Sequence, residues 1–249
     1  MRYELMLPHQ LRKAIDENWP VALALGVLEY HGEHLGLGMD TLVVERTLQR
    51  LEKEAPRLVL LPTFYYGAAS NAVAVPERNG GLDIKADSLL PVARDLFRAL
   101  LRVGLRNIHV YIHHQSENFA TGMPTDLAFK LASRQAIFEF LDKTSGEGWW
   151  GNEKMATYYT DRTRGADPFS WIQLHPFMDA SIISQFDFDH AGIGETSLMM
   201  ALCPEAVDMA RHTPDNWYAC TATQATAAHA EKALRLVMNK MRREMGLAQ

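Results

Sequence analysis

Val21-Ala-Leu-Ala-Leu-Gly-Val-Leu28 runs directly into Glu29-Tyr-His31-Gly-Glu33-His34-Leu-Gly-Leu-Gly-Met-Asp40. The first eight residues are too few for a helix with its own core and too apolar for an exposed strand, so they predict a strand covered on both faces. Five potential metal ligands follow within twelve residues. In extended chain, residues two apart point to the same side, so Glu29 and His31 project together with Cα atoms roughly 6.5–7 Å apart. Ligands spaced that way suit two ions better than one. Gly32, Gly36 and Gly38 offer the unusual backbone angles of a tight loop that would return Asp40 to the same place. Asp40 also precedes a helical pattern, Thr41–Glu52, where a helix N-cap and a metal ligand both call for an oxygen.

This pattern, Glu29-x-His31-Gly32-x-His34-Leu35-x-x-Gly38-x-Asp40, resembles the signature of the creatininase (creatinine amidohydrolase) family. The resemblance implies that Glu29, His31 and Asp40 bind a pair of divalent ions, with Asp40 bridging them. It leaves Glu33 and His34 in the turn. The family usually has Pro where this chain has Gly36, which alters the loop and removes no ligand.

The chain has 249 residues, 47% hydrophobic and 22% charged, the balance of an ordinary globular protein with room for a sizeable core. A net charge of −5 with scattered basic residues gives no electrostatic footprint for nucleic acid. Lys240, Arg242 and Arg243 cluster only at the end of a helical pattern, where cations complement the helix dipole. No apolar run approaches the ~20 residues of a membrane span, and the N-terminus lacks a signal-peptide core. The two cysteines, Cys203 and Cys220, form no CxxC pair. A cytoplasmic protein with neither membrane nor nucleic-acid partners is therefore expected.

Strand-like and helix-like segments alternate: a helix over 11–18, strands at 21–28 and 58–62, helices over 42–54 and 86–103, and a strand at 107–112. Such βα units predict an α/β fold, three layers α/β/α with a mainly parallel sheet. A helix opening near 197 and a final helix beyond Thr221 follow. One domain over 1–249 is expected, with 142–170 a lid or insertion over the site. Trp149, Trp150 and Trp171 offer walls for a small-substrate pocket, although aromatic packing under a long loop accounts for each singly.

Ligands bind at the carboxyl ends of the strands in such sheets, and chemistry-bearing residues stand there. His113-His114-Gln115-Ser116-Glu117-Asn118 follows the third strand and resembles the family's second motif, commonly Asn-Gly-His before a short turn and Asn. The resemblance implies that His114 is a metal ligand and Glu117 a catalytic or reserve ligand. His113 stands in place of the usual Gly or its neighbour. Asp187-Phe-Asp189-His190-Ala191-Gly192-Ile193-Gly194-Glu195-Thr196-Ser197 resembles the third motif. It implies His190 as the acid/base or substrate-polarising group, Asp189 as the carboxylate assisting proton transfer, and Glu195 as a ligand. By residue type alone, Glu195-Thr-Ser would serve equally to open a helix.

The donors Glu29, His31, Asp40, His114 and Glu195 are all nitrogen and oxygen. They suit two divalent ions, Zn or Mn and in principle Mg. A bridging water of lowered pKa would then attack a carbonyl. The resemblance thus implies a metal-dependent hydrolase cleaving a C–N amide bond in a small cyclic carbonyl compound, and a homo-oligomer, often a hexamer. Similar proteins open oxidised inositols by C–C cleavage, and Asn71, Glu77, Arg78 and Asn79 would suit a polyhydroxylated ligand. A metal-binding protein without catalysis is the remaining alternative, motivated by the altered turn at His113–Glu117.

Overall fold

The computed structural model describes residues 1–163, 165 and 167–247. Its sheet has four parallel strands, β1 (Val21–Leu25), β2 (Val59–Leu60), β3 (Ile108–Ile112) and β4 (Ile172–Pro176), in the order β2-β1-β3-β4. Every residue of β1 and β3 is buried, and their alternation feeds two cores. Ala22, Ala24 and Tyr111 face one core, and Val21, Leu23, Leu25, Ile108, Val110 and Ile112 face the other. That division follows from the period of two in extended chain.

The helices are α1 (Pro8–Asp16), α2 (Met39–Glu54), α3 (Ala86–Val103), α4 (Pro124–Ser145), α5 (Tyr158–Thr163), α6 (Ala180–Ile183), α7 (Ile193–Leu202) and α8 (Ala227–Glu244). Helices α2, α7 and α8 cover the first face, and α1, α3 and α4 cover the second. The expected α/β layering is present. Among the described residues, no helix is long and apolar enough to cross a membrane.

Two elements are not legible in the sequence. Helix α4 buries Thr125, Asp126 and Ser133 while leaving Leu127, Leu131 and Phe138 exposed, so its apolar periodicity is blurred. Strand β4, Ile-Gln-Leu-His-Pro, carries polar residues and a terminal proline, which suits an edge position and weakens any strand signal.

The strand order decides where chemistry gathers. From β1 the chain steps outward to β2 and then returns to the opposite side of β1 for β3. The crevice between the carboxyl ends of β1 and β3 is thus a topological switch point, the usual ligand position in an open parallel sheet. Helix α2 is seated against it by a close approach. A Cβ at Gly26 would lie 2.2 Å from Thr41 Oγ1, whose hydroxyl donates to the Val27 carbonyl at 2.9 Å.

Of the two alternatives for 142–170, a lid over the site or an insertion, the described residues take the second within one chain. The described residues of 146–171 leave α4 and enter β4 at the amino ends of the strands, where Ile108 donates its N–H to the Trp171 carbonyl, on the far side of the sheet from the switch point. Trp149 is buried with its indole on Asp142, while Trp171 packs on Phe140 beneath the Arg106 guanidinium. A cavity of about 550 Å³ lies there, between Trp149, Tyr158 and Trp171.

Candidate metal centre

Four segments converge on the switch point. The loop after β1 brings Glu29 and His31, α2 brings Asp40, the end of β3 brings His113 and His114, and the turn into α7 brings His190 and Glu195. Gly32 takes a left-handed φ of 74°, open to glycine at little cost. Gly36 and Gly38 do not need that freedom: φ at Gly38 is −92°, and Gly36 instead admits the close passage of Ala206. The N-cap of α2 is Gly38, and Asp40 lies in the first turn with its carboxylate directed at the cluster. Its capping alternative is therefore not what the residue does here.

Among the described residues three groups have ligand atoms within 4.8 Å of one another: Glu29–His31–His190 and the two triads that share Asp40, Glu29–Asp40–His114 and His31–Asp40–Glu195. His114 Nδ1 lies 3.5 Å from Glu29 Oε2 and 3.3 Å from Asp40 Oδ2. His31 Nε2 lies 3.6 Å from the same Asp40 Oδ2 and 3.5 Å from Glu195 Oε2. One oxygen thus belongs to both triads. Among the described residues, Glu29 Oε2, His31 Nε2 and Asp40 Oδ2 are buried and make no hydrogen bond. Buried polar atoms left unpaired are costly. Convergence of several such atoms, two carboxylates among them and Glu195 beside them, fits divalent cations with N and O ligands.

Orientation comes from a second ring of contacts. His31 Nδ1 meets the Glu29 carbonyl at 3.1 Å, which assigns the proton to Nδ1 and leaves Nε2 to face the cluster. Glu195 Oε2 accepts from the Ala191 N–H at 2.7 Å, and Oε1 faces His113 Nε2 at 3.1 Å. Ala191 holds a positive φ of 54°, so the His190–Gly192 turn is strained where the site needs its side chains placed.

Protonation follows from this crowding. Burial and the charge of Asp40 push Glu29 up to about 7. At His31 burial opposes charging, but Asp40 and Glu195 outweigh it and raise the ring to about 10. Burial and the neighbouring His31 lower His190.

His190 stacks on His31 with ring centroids 4.2 Å apart. Its Nε2 meets the Tyr30 carbonyl at 3.0 Å, leaving Nδ1 facing Glu29 Oε1 at 3.6 Å. The other two residues expected in catalysis lie apart. Both oxygens of Asp189 accept from the first turn of α7, from Gly194 N–H at 2.8 Å and Glu195 N–H at 3.1 Å. Asp189 therefore caps α7, as a short carboxylate at a helix start commonly does. Glu117 is exposed on a surface hollow with Ile183, Gln185 and Phe186, away from the triads. The carboxylate in the second triad is Glu195, not Glu117.

Sequence reasoning misses His113 as a site residue. Its position next to His114 is the available signal, and a strand that ends at 112 lets both side chains turn inward. His34 stays outside the cluster, buried against Thr196 Oγ1 at 3.1 Å, in keeping with its expected place in the turn.

The model of the family described as Creatininase: Creatinine amidohydrolase matches residues 4–244. A creatinine amidohydrolase from Pseudomonas putida is 27% identical over 198 residues, 76% of this chain; the match spans 66% of that relative's length. Among solved structures, a manganese creatininase is 18% identical with a TM-score of 0.72, covering 98% of each chain. A creatininase mutant of the Zn-Zn type is also 18% identical with a TM-score of 0.70, again covering 98% of each chain. These structures share the fold.

Proposed function

The chain belongs to the creatininase family, and on that premise we propose that it is a metal-dependent hydrolase cleaving a C–N amide bond in a small cyclic carbonyl compound, with two divalent ions per chain. The observation that carries this reading is the Asp40 Oδ2 atom, unpaired and common to both ligand triads. Glu29, Asp40 and His114 would hold one ion; His31, Asp40 and Glu195 would hold the other. The manganese and Zn-Zn forms of creatininase support those metals as candidates. Bound ions would supply Lewis acidity toward the carbonyl and a water of lowered pKa.

The chain's own groups do the rest. Burial of Glu29, His31, Asp40 and Glu195, with His114 only slightly more open, excludes bulk water from the cluster floor. His190 offers Nδ1 as a base, because its Nε2 proton is committed to the Tyr30 carbonyl. The proton taken there from the attacking water passes to the leaving nitrogen as the C–N bond breaks, so one water is added across the bond. Asp189 has no part in that transfer, since both its oxygens are engaged by α7.

Creatinine-type lactams are the first substrates to assay, by the name of the curated relative. The residues offered for a polyhydroxylated ligand give the C–C alternative little support. Asn71, Glu77 and Arg78 are exposed, and the Asn79 amide is turned to the Val75 carbonyl. A cytoplasmic homo-oligomer, hexameric by family likeness, completes the proposal. Elemental analysis is expected to find two divalent ions per chain. Chelation should abolish hydrolysis, Mn or Zn should restore it, and Asp40→Asn should lose both ions together. Full turnover by metal-free protein would refute the reading.

A further inference from the structure

His34 belongs to the first motif and to neither triad, yet it is only 2% exposed and its ring is tied to a residue 162 positions away. Its Nε2 lies 3.1 Å from Thr196 Oγ1, and that hydroxyl lies 3.2 Å from the Ala191 carbonyl. A hydroxyl has one proton to donate, and a carbonyl can only accept. The Thr196 proton therefore goes to Ala191, and the hydroxyl oxygen accepts from His34, which must carry its proton on Nε2. The opposite tautomer would draw the Thr196 proton to His34 and strip the buried Ala191 carbonyl of that bond, a costly loss in the interior.

Ala191 is a residue that needs holding. Its φ of 54° is a left-handed conformation that a residue with a Cβ keeps only where its surroundings fix it. Its N–H donates at 2.7 Å to Glu195 Oε2, the oxygen that faces His31 Nε2 at 3.5 Å, and the residue before it is His190. One turn thus places both the base and a ligand. His34 is itself fixed from outside the cluster: its carbonyl accepts from Asp208 N–H at 2.9 Å, and the His212 ring meets it edge-on at 5.0 Å. A Cβ at Gly32 would stand 3.0 Å from His34 Nδ1, so that glycine leaves the ring its space.

We propose that His34 is a positioning residue: through Thr196 it locks the Ala191 turn, and so sets the direction of the Glu195 carboxylate and of the His190 ring, with no part in binding the metal or moving the proton. Its effect on turnover rests on the hydrolase reading. Its effect on Glu195 does not.

Mn titrated by calorimetry into the chelated protein and its variants tests the relay. His34→Leu and Thr196→Val are each expected to weaken Mn at His31–Asp40–Glu195 about tenfold, as loss of a ligand's outer partner does. The double variant should lose no more, since both changes cut one chain of bonds. His34→Gln, whose amide keeps a donor, should recover most of the loss. Full affinity in His34→Leu, losses that add in the double variant, or no recovery by His34→Gln would overturn the proposal. Should His34→Leu not fold, Thr196→Ser against Thr196→Val makes the same comparison, and equal affinity in those two refutes the relay. Long-range nitrogen–proton NMR correlation of the His34 ring in the chelated protein needs neither metal nor substrate. A proton on Nε2 is expected there, and a proton on Nδ1 alone overturns the relay whatever the protein hydrolyses. With the relay intact and no amide turned over in the presence of Mn, the hydrolase reading fails by itself.

Discussion

At the scale of the residue, the centre depends on side chains that hold other side chains. His113 touches Glu195 Oε1 at 3.1 Å and is buried with it, so the orientation of that carboxylate depends on an imidazole that is itself no member of either triad. Outer partners of this kind typically change metal affinity by about 10–100-fold. His113→Ala is expected to weaken the ion at His31–Asp40–Glu195 by that factor and spare the ion at Glu29–Asp40–His114. Dialysis followed by elemental analysis should leave close to one ion per chain; two retained ions would show that Glu195 is held without His113. His113, unlike Glu195, is visible in sequence only as a residue type beside a motif. Its partner lies 82 positions away, and no local spacing expresses that distance.

At the scale of the element, α7 illustrates how capping and chemistry share one turn. Asp189 fixes the first turn of the helix, Glu195 projects from the same turn into the cluster, and Ala191 bends the chain between them. Asp189→Asn keeps one acceptor oxygen and loses the other, so it should cost about 1 kcal/mol. For a chain of this size, that lowers Tm by roughly 2–4 °C. The pH dependence of kcat should keep its shape, because the proton moves at His190. A displaced acid or base limb in the Asp189→Asn profile would return Asp189 to the reaction. Elements with strong periodicity are legible: α3 occupies Ala86–Val103 as its apolar stripe indicates. Helix α4 is not, since its buried face includes Thr125, Asp126 and Ser133 and its exposed face includes Leu127 and Phe138.

At the scale of the whole molecule, the sheet carries a polar seam apart from the metal cluster. His109 Nε2 faces Asn107 Oδ1 at 2.8 Å and its Nδ1 faces His175 Nε2 at 2.9 Å, while His175 Nδ1 approaches Glu244 at 3.3 Å. Burial and His175 lower His109 to about 3, and burial and His212 lower His34 to about 4. Both rings are neutral when folded and bind protons near 6.5 when unfolded. At these two rings the unfolded state takes up more protons below about 6.5, so their contribution to stability falls as pH drops from there toward about 3–4, while Glu29, raised to about 7, contributes in the opposite sense between about 7 and 4.5. A tenfold difference in proton affinity between the two states is worth about 1.4 kcal/mol, so the His109 contribution alone is a loss of roughly a few kcal/mol by about pH 4.5. Urea titrations of the chelated protein and of His109→Asn, run from neutral pH down through this range, should differ by that contribution, with the variant losing less stability toward acid. An unchanged slope in that variant would place the acid sensitivity elsewhere.

The sequence by itself determined the covered strand at 21 and the alternation of strands and helices, because each is written in local periodicity, and the cluster of candidate ligands after that strand, from which the family resemblance picks Glu29, His31 and Asp40. Tertiary structure alone decided that Glu195 rather than Glu117 stands in the second triad, that Asp189 caps a helix, and that the described residues of 146–171 lie across the sheet from the chemistry. The physical reason is one of range. Apolar pattern and ligand spacing act over a few residues, whereas a cluster is assembled at the switch point of a sheet, where β1, β3 and α7 meet only after the chain has folded.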